Sequence, residues 1–137
     1  MNEHTTGFKG PMKVLSLSGV LIALAAAGIL LIGIFGLLDP ALGARAFGVA
    51  VLEPRDGGLL VIAAGRDIVL GILLFSLLGL RDRRALAYTT GVLALIPVFD
   101  GFVVLGSGDW AFKPVIFLHW ASAGLMLVIV ALLRSGK

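Results

Sequence analysis

The chain has 137 residues, of which 59% are hydrophobic and 14% are charged, and its mean hydropathy is +1.09. These values exclude an ordinary soluble domain and indicate an integral membrane protein, so the lipid bilayer is an expected partner. The formal net charge is +3, and the basic residues lie in short loops and form no basic face with interleaved aromatic residues, which argues against a nucleic-acid partner. The absence of cysteine excludes disulfides and thiolate metal sites.

The first apolar run, 14–38, is long enough to cross a bilayer, which takes about 20 residues. A signal peptide has a core of about 7–15 residues, so we predict a retained helix, preceded by a flexible tail over 1–11. Gly19, Ala23 and Ala27 fall four residues apart on this helix. Such spacing lets another helix approach closely, within the bundle or between subunits, and therefore leaves a homo-oligomer open.

The connection after the first run carries the signals of a short helix. Asp39 precedes Pro40, as a capping residue precedes a proline in the first helical turn, and Gly48 follows Phe47 as a helix-ending glycine. We therefore predict a short interfacial helix over 41–47, between the first two membrane spans.

Three further apolar runs predict spans over 59–80, 85–105 and 115–133. Because lipid permits only helices or closed barrels, we predict an all-α protein, an integral membrane four-helix bundle that occupies 12–137 as one domain.

The basic residues predict the orientation of this bundle. Four spans place both termini and the turn between spans two and three on one side, and that side carries Lys9, Lys13, Arg81, Arg83, Arg84, Arg134 and Lys137. By the positive-inside rule, both the N- and the C-terminus are predicted to be cytoplasmic. A bacterial inner membrane is the expected location.

Ionisable residues inside the predicted spans are the most informative feature of the chain. Arg66 and Asp67 lie in the second span, Asp100 in the third and His119 in the fourth. A charged side chain near the bilayer centre costs roughly 2.5–3.5 kcal/mol, so we expect these groups to need partners from other helices. At about 1.5 Å per residue, all of them fall in the outer half of a membrane core about 30 Å thick.

Helix geometry predicts which of these groups pair. Adjacent helical residues point about 100° apart, so Arg66 and Asp67 are expected to be poor partners for each other. We expect Arg66 to pair with Asp100, and Asp67 with His119. Pro97 lacks an N–H and predicts a kink or an unpaired carbonyl close to these side chains.

Three hypotheses account for these residues. In the first, they form an ion-pair network that only fixes helix packing. In the second, Arg66, Asp67, Asp100 and His119 line a pocket for a small lipophilic or quinone-like ligand. In the third, the protein is an isomerase- or cyclase-type enzyme, in which His119 moves a proton with Asp67 or Asp100 and Arg66 stabilises developing negative charge. No cofactor is evident, and with one intramembrane histidine no metal site is predicted.

Short motifs over about 14–133 also match a known pattern: Pro40 with Ala44–Gly48, Gly65–Asp67 with Gly71, Arg84–Leu86, Ile96–Pro97 with Asp100, and His119 with Gly124. On these motifs the chain resembles a family of small four-span bacterial and fungal membrane proteins, a domain of unknown function related to the DoxX-like group. The resemblance implies a fold and a membrane location, and no established activity. DoxX-like proteins are associated with quinone-linked redox complexes.

Overall fold

In the computed structural model the chain is described over residues 13–48, 54–106 and 113–135, and these residues form helices without any strand. The helices are α1 Leu17–Leu38, α2 Pro40–Phe47, α3 Pro54–Leu80, α4 Arg83–Leu93, α5 Leu95–Gly106 and α6 Lys113–Ser135. The predicted tail over 1–11 lies outside the described residues.

The helices give four segments that are long and apolar enough to cross a membrane: 17–38, 57–80, 83–106 and 114–135. The protein is thus an all-α membrane protein with four candidate spans, which confirms the predicted fold class. The observed spans begin or end within a few residues of the predicted ones, and capping residues fix some of these ends: the Asp82 carboxylate, for example, accepts from the backbone N–H of Ala85 at 2.9 Å.

The predicted short helix between the first two spans is α2. Asp39 caps its first turn, because its Oδ1 accepts hydrogen bonds of 3.0 Å from the backbone N–H groups of Ala41 and Leu42. Gly48 ends the helix with φ 78°, and its N–H donates to the carbonyl of Arg45 at 3.1 Å. Glycine adopts this left-handed conformation without the steric cost that other residues meet.

The spans pack as two pairs, α1 along α3 and α4–α5 along α6. Glycines allow the close approach within the first pair. A Cβ atom at Gly33 would lie 2.7 Å from the carbonyl oxygen of Ala64, and one at Gly71 would lie 2.9 Å from Leu30 Cβ. Gly33 and Gly71 therefore allow α1 and α3 to approach closely, whereas a Cβ atom at Gly19 would meet the backbone of Val14 in its own segment.

The third span is interrupted at Ala94, where α4 ends and α5 begins. Pro97 explains the interruption, because it has no N–H to donate to the carbonyl of Leu93 and its ring crowds that carbonyl. The interruption agrees with the irregularity that the sequence predicts. Leu93 and Pro97 both line the cavity described below, so the irregular turn forms part of its wall.

The bundle has two unlike ends. We call the end that carries α2 the α2 end, and the opposite end, which carries the turn at Arg81 and Asp82, the turn end. The apolar core lies toward the turn end and includes Ile22, Leu74, Leu86, Ile129 and Leu133. The candidate site lies toward the α2 end.

Candidate functional site

A cavity opens between the two helix pairs at the α2 end. Its volume is about 120 Å³, or about 580 Å³ when the space of its open mouth is included. Most of its wall is apolar and is contributed by residues such as Ile29, Leu70, Ile96 and Met126. The polar part of the wall is small and consists of Arg66, Asp67, Asp100, His119 and Ser122.

All of the ionisable residues singled out in the sequence line this one cavity. Arg66 and Asp67 come from α3, Asp100 from α5 and His119 from α6. Within the described ranges, no other ionisable side chain lines the cavity. The fold therefore brings together side chains that are up to 53 positions apart in the sequence (66 to 119).

Arg66 bonds to its neighbour Asp67. The Nε of Arg66 donates to Asp67 Oδ1 at 3.0 Å, and the Asp67 side chain is only 10% exposed. The prediction that these two residues are poor partners is wrong, because the arginine side chain is long enough to fold back along α3. The Asp67 carboxylate is thus neutralised by a residue of its own helix.

Arg66 also approaches Asp100 on the third span. Its Nη2 lies 3.8 Å from Asp100 Oδ2, which is an ion-pair distance but longer than a hydrogen bond. Among the described residues, no hydrogen bond is made by the Nη atoms of Arg66 or by the Asp100 carboxylate. The N–H donors of Arg66 Nη and the acceptor oxygens of Asp100 therefore lie close together without a hydrogen bond to any described residue.

His119 contacts α2. Its Nε2 lies 3.2 Å from the carbonyl oxygen of Phe47, and the two rings stack with centroids 6.2 Å apart. The predicted pairing of His119 with Asp67 is therefore wrong. Because a carbonyl oxygen can only accept, Nε2 carries the proton, and in the neutral ring Nδ1 is the acceptor.

A second cavity adjoins the first on the other side of Arg66. It has a volume of about 120 Å³ and shares Phe47, Arg66 and Asp100 with the first cavity. It lies between α3 and α5, which barely touch each other, and its other walls are apolar. Arg66 and Asp100 thus line both the cavity between the helix pairs and the cavity between α3 and α5.

A metal is not supported by the described residues. Over 13–48, 54–106 and 113–135, no three His, Cys, Asp or Glu side chains lie close enough together to hold an ion.

Comparison with known protein families assigns the chain to one of them. The model of the domain of unknown function DUF4267 matches residues 26–133. The chain belongs to the DUF4267 family. No curated protein and no solved structure matches it.

The matched range of this DUF4267 chain contains the whole wall of the cavity, from Ile29 to Met126. Sequence reasoning missed Phe47 as part of this wall. A signal for it was present, because the last carbonyls of a helix have no partner inside the helix and must find one elsewhere. Phe47 is the last residue of α2, and its carbonyl finds His119.

Proposed function

We propose that this DUF4267 protein binds a small lipophilic molecule that carries a hydrogen-bonding oxygen, such as a quinone-like compound, in the cavity between its helix pairs. One observation carries the proposal: Arg66, Asp67, Asp100 and His119 converge on an otherwise apolar cavity that is open at one side. Small-molecule sites typically combine apolar walls with a few converging polar groups. Ionisable residues inside a membrane segment are functional candidates by default.

The size of the cavity limits the ligand. An apolar cavity of about 150 Å³ accepts one benzene ring. The enclosed volume of about 120 Å³ therefore suits a small ring or a short piece of chain, and the rest of a larger molecule would occupy the mouth or the second cavity.

The chemistry of the wall supports an oxygen-bearing head group. The Nη atoms of Arg66 have N–H groups free of described partners, and they would donate to a carbonyl or hydroxyl oxygen. The Asp100 carboxylate would accept a proton from a hydroxyl. A network that served packing alone would be expected to satisfy its own members and leave no adjoining space.

A second candidate, an isomerase- or cyclase-type enzyme, is favoured by the contact between His119 and Phe47. With Nε2 donating to Phe47, Nδ1 of His119 is the nitrogen that could accept a proton at the cavity wall, which is the role of a general base. In this case Arg66 would stabilise negative charge that develops on the substrate oxygen.

Mass spectrometry of small molecules that co-purify with the protein tests both candidates. We expect a lipophilic compound in the wild type, its loss in Arg66→Gln, and its retention in Asp39→Asn. Asp39 is an exposed helix cap at the same end of the bundle, and asparagine caps equally well, so this variant controls for the loss of one charge.

The outcomes separate the hypotheses. A compound that is bound equally by wild type and His119→Gln indicates a binding protein. A different compound in His119→Gln, with substrate in place of product, indicates an enzyme. If no compound accompanies the wild type and Arg66→Gln changes only stability, the packing network explains these residues and the proposed function fails.

We further propose that both termini face the cytoplasm of a bacterial cell, so that the α2 end lies at the outer leaflet. The excess of basic residues at the turn end supports this orientation. The chain has no cysteine, so the single-cysteine variants S135C and S76C test the orientation. A membrane-impermeant thiol reagent should label S135C only after the cells are opened. S76C lies inside α3 and should stay unlabelled, which makes it the control. A relationship of the family to DoxX-like proteins stays a prediction.

A further inference from the structure

Among the described residues of the candidate site, two carboxylates, Asp67 and Asp100, lie beside one guanidinium, that of Arg66. The His119 imidazole lies close enough to Asp100 to interact with it electrostatically. Asp67 bonds directly to Arg66 Nε and is almost buried. Asp100 is different, because it lies 3.8 Å from Arg66 Nη2, has no hydrogen bond to another described residue, and is 24% exposed. Its carboxylate is therefore not needed to neutralise Arg66.

An arginine that lines an apolar cavity attracts anions. Guanidinium groups bind carboxylates, sulfonates and phosphates through paired hydrogen bonds, and a membrane contains many anionic amphiphiles. The free Nη atoms of Arg66 lie where such a head group would bind. Something else in the wall must decide whether an anion or an uncharged molecule occupies the site.

We infer that Asp100 is the specificity-determining residue of this cavity: its carboxylate repels anionic head groups from Arg66 and restricts the site to uncharged amphiphiles. This inference rests on the proposed ligand binding and names the class of ligand. An anion bound to the Nη atoms of Arg66 would lie within a few ångström of the Asp100 oxygens, and like charges at that distance repel strongly where little water screens them. An uncharged oxygen accepts from Arg66 without this repulsion.

The position of Asp100 also fits the route of the ligand. Asp100 and Arg66 line both cavities, and the second cavity lies between α3 and α5, where the apolar residues Leu60, Ala63 and Val103 line it. An amphiphile whose head reaches Arg66 would pass Asp100, and its apolar tail would lie in this second cavity. The Asp100 carboxylate thus lies where it would repel an anionic head group and let an uncharged one reach Arg66.

Photolabelling with two matched probes tests the inference. The full-length protein in phosphatidylcholine vesicles is exposed to decanol and to decanesulfonate, each carrying the same photoreactive group in its chain, and the labelled peptides of α3 and α5 are quantified. The sulfonate stays anionic at every working pH, so the two probes differ only in the head group. The variants are Asp100→Asn, Asp100→Glu, Arg66→Gln/Asp100→Asn and the control Asp39→Asn.

We expect the wild type to be labelled by the alcohol and hardly by the sulfonate. Asp100→Asn should raise sulfonate labelling about tenfold, a modest share of the Coulomb interaction at this distance. Asp100→Glu and Asp39→Asn should leave sulfonate labelling low, and the double variant should lose the gain because Arg66 is no longer present. Asp100→Glu keeps the charge, so a rise in its sulfonate labelling overturns the inference even if Asp100→Asn does not fold.

The results distinguish this inference from the proposed function. Equal labelling of the wild type by both probes would overturn the role of Asp100 and leave ligand binding intact. A rise in sulfonate labelling in Asp100→Glu would also overturn it. If the wild type takes neither probe and Asp100→Asn takes the sulfonate, exclusion by Asp100 stands while the proposed ligand fails. If no variant takes either probe, both proposals fail.

Discussion

The two ends of the bundle are built from the same spans and differ in what fills them. At the turn end, Ile22, Leu74, Leu86, Ile129 and Leu133 are at most 1% exposed and form a continuous apolar core. At the α2 end, the space between the helix pairs holds a cavity and the ionisable residues that line it. The difference teaches that the turn end is filled by a tightly packed apolar core, whereas the α2 end has a cavity where its charged side chains converge.

Removal of a large side chain sharpens this comparison most. Ile129→Ala should lower the free energy of unfolding by about 2–4 kcal/mol, because it opens a new cavity in a filled core. Ile96→Ala removes the same atoms from the wall of an existing cavity and should cost about half as much or less. Reversible unfolding in detergent micelles measures both. Equal losses would mean that the two ends are packed alike.

Double-mutant cycles compare the two ion pairs of Arg66. The coupling free energy between Arg66→Gln and Asp67→Asn should be about 1–2 kcal/mol, because the pair is hydrogen-bonded and Asp67 is nearly buried. The partial exposure of Arg66 keeps this value below that of a fully buried pair. The coupling between Arg66→Gln and Asp100→Asn should stay below about 1 kcal/mol, because no hydrogen bond joins them. The reverse order would contradict the geometry at the α2 end.

The smallest expected effect concerns α2 itself. His119→Ala removes the hydrogen bond to the Phe47 carbonyl, and amide hydrogen exchange in 40–47 should become about fivefold faster, as the loss of about 1 kcal/mol implies. His119→Gln keeps a donor near the position of Nε2 and should change the rate little. Ser122→Ala is the control, because Ser122 lines the same cavity but bonds within α6, to the Leu118 carbonyl at 2.8 Å. An unchanged rate in His119→Ala would show that α2 is held by other contacts.

The sequence predicted those features that depend on groups a few residues apart. Asp39 and Gly48 mark the two ends of α2 because capping joins atoms within one turn. Pro97 marks the interruption of the third span for the same reason. The number of spans follows from the length of the apolar runs.

Of the features that depend on packing between helices, the convergence of the four ionisable residues and the approach of Arg66 to Asp100 were predicted, because their depths in the membrane follow from helix length. Three others were not. The angle between neighbours on a helix does not reveal that Arg66 folds back onto Asp67. The partner of His119 is the backbone carbonyl of Phe47; the end of α2 signals a carbonyl that needs a partner, but nothing in the sequence shows that His119 reaches it. The glycines that join α1 to α3 are likewise decided by where two helices cross, which no spacing within one helix reveals.

The bond between Arg66 and Asp67 has a consequence for biosynthesis. Both partners are on one helix and are adjacent in the chain, so the ribosome delivers them together. The second span can therefore leave the translocon with its two opposite charges already paired, and it need not wait for Asp100 to be synthesised. Together with the glycine contacts between α1 and α3, this pairing means that the first two spans carry no charge that depends on the later spans for its partner.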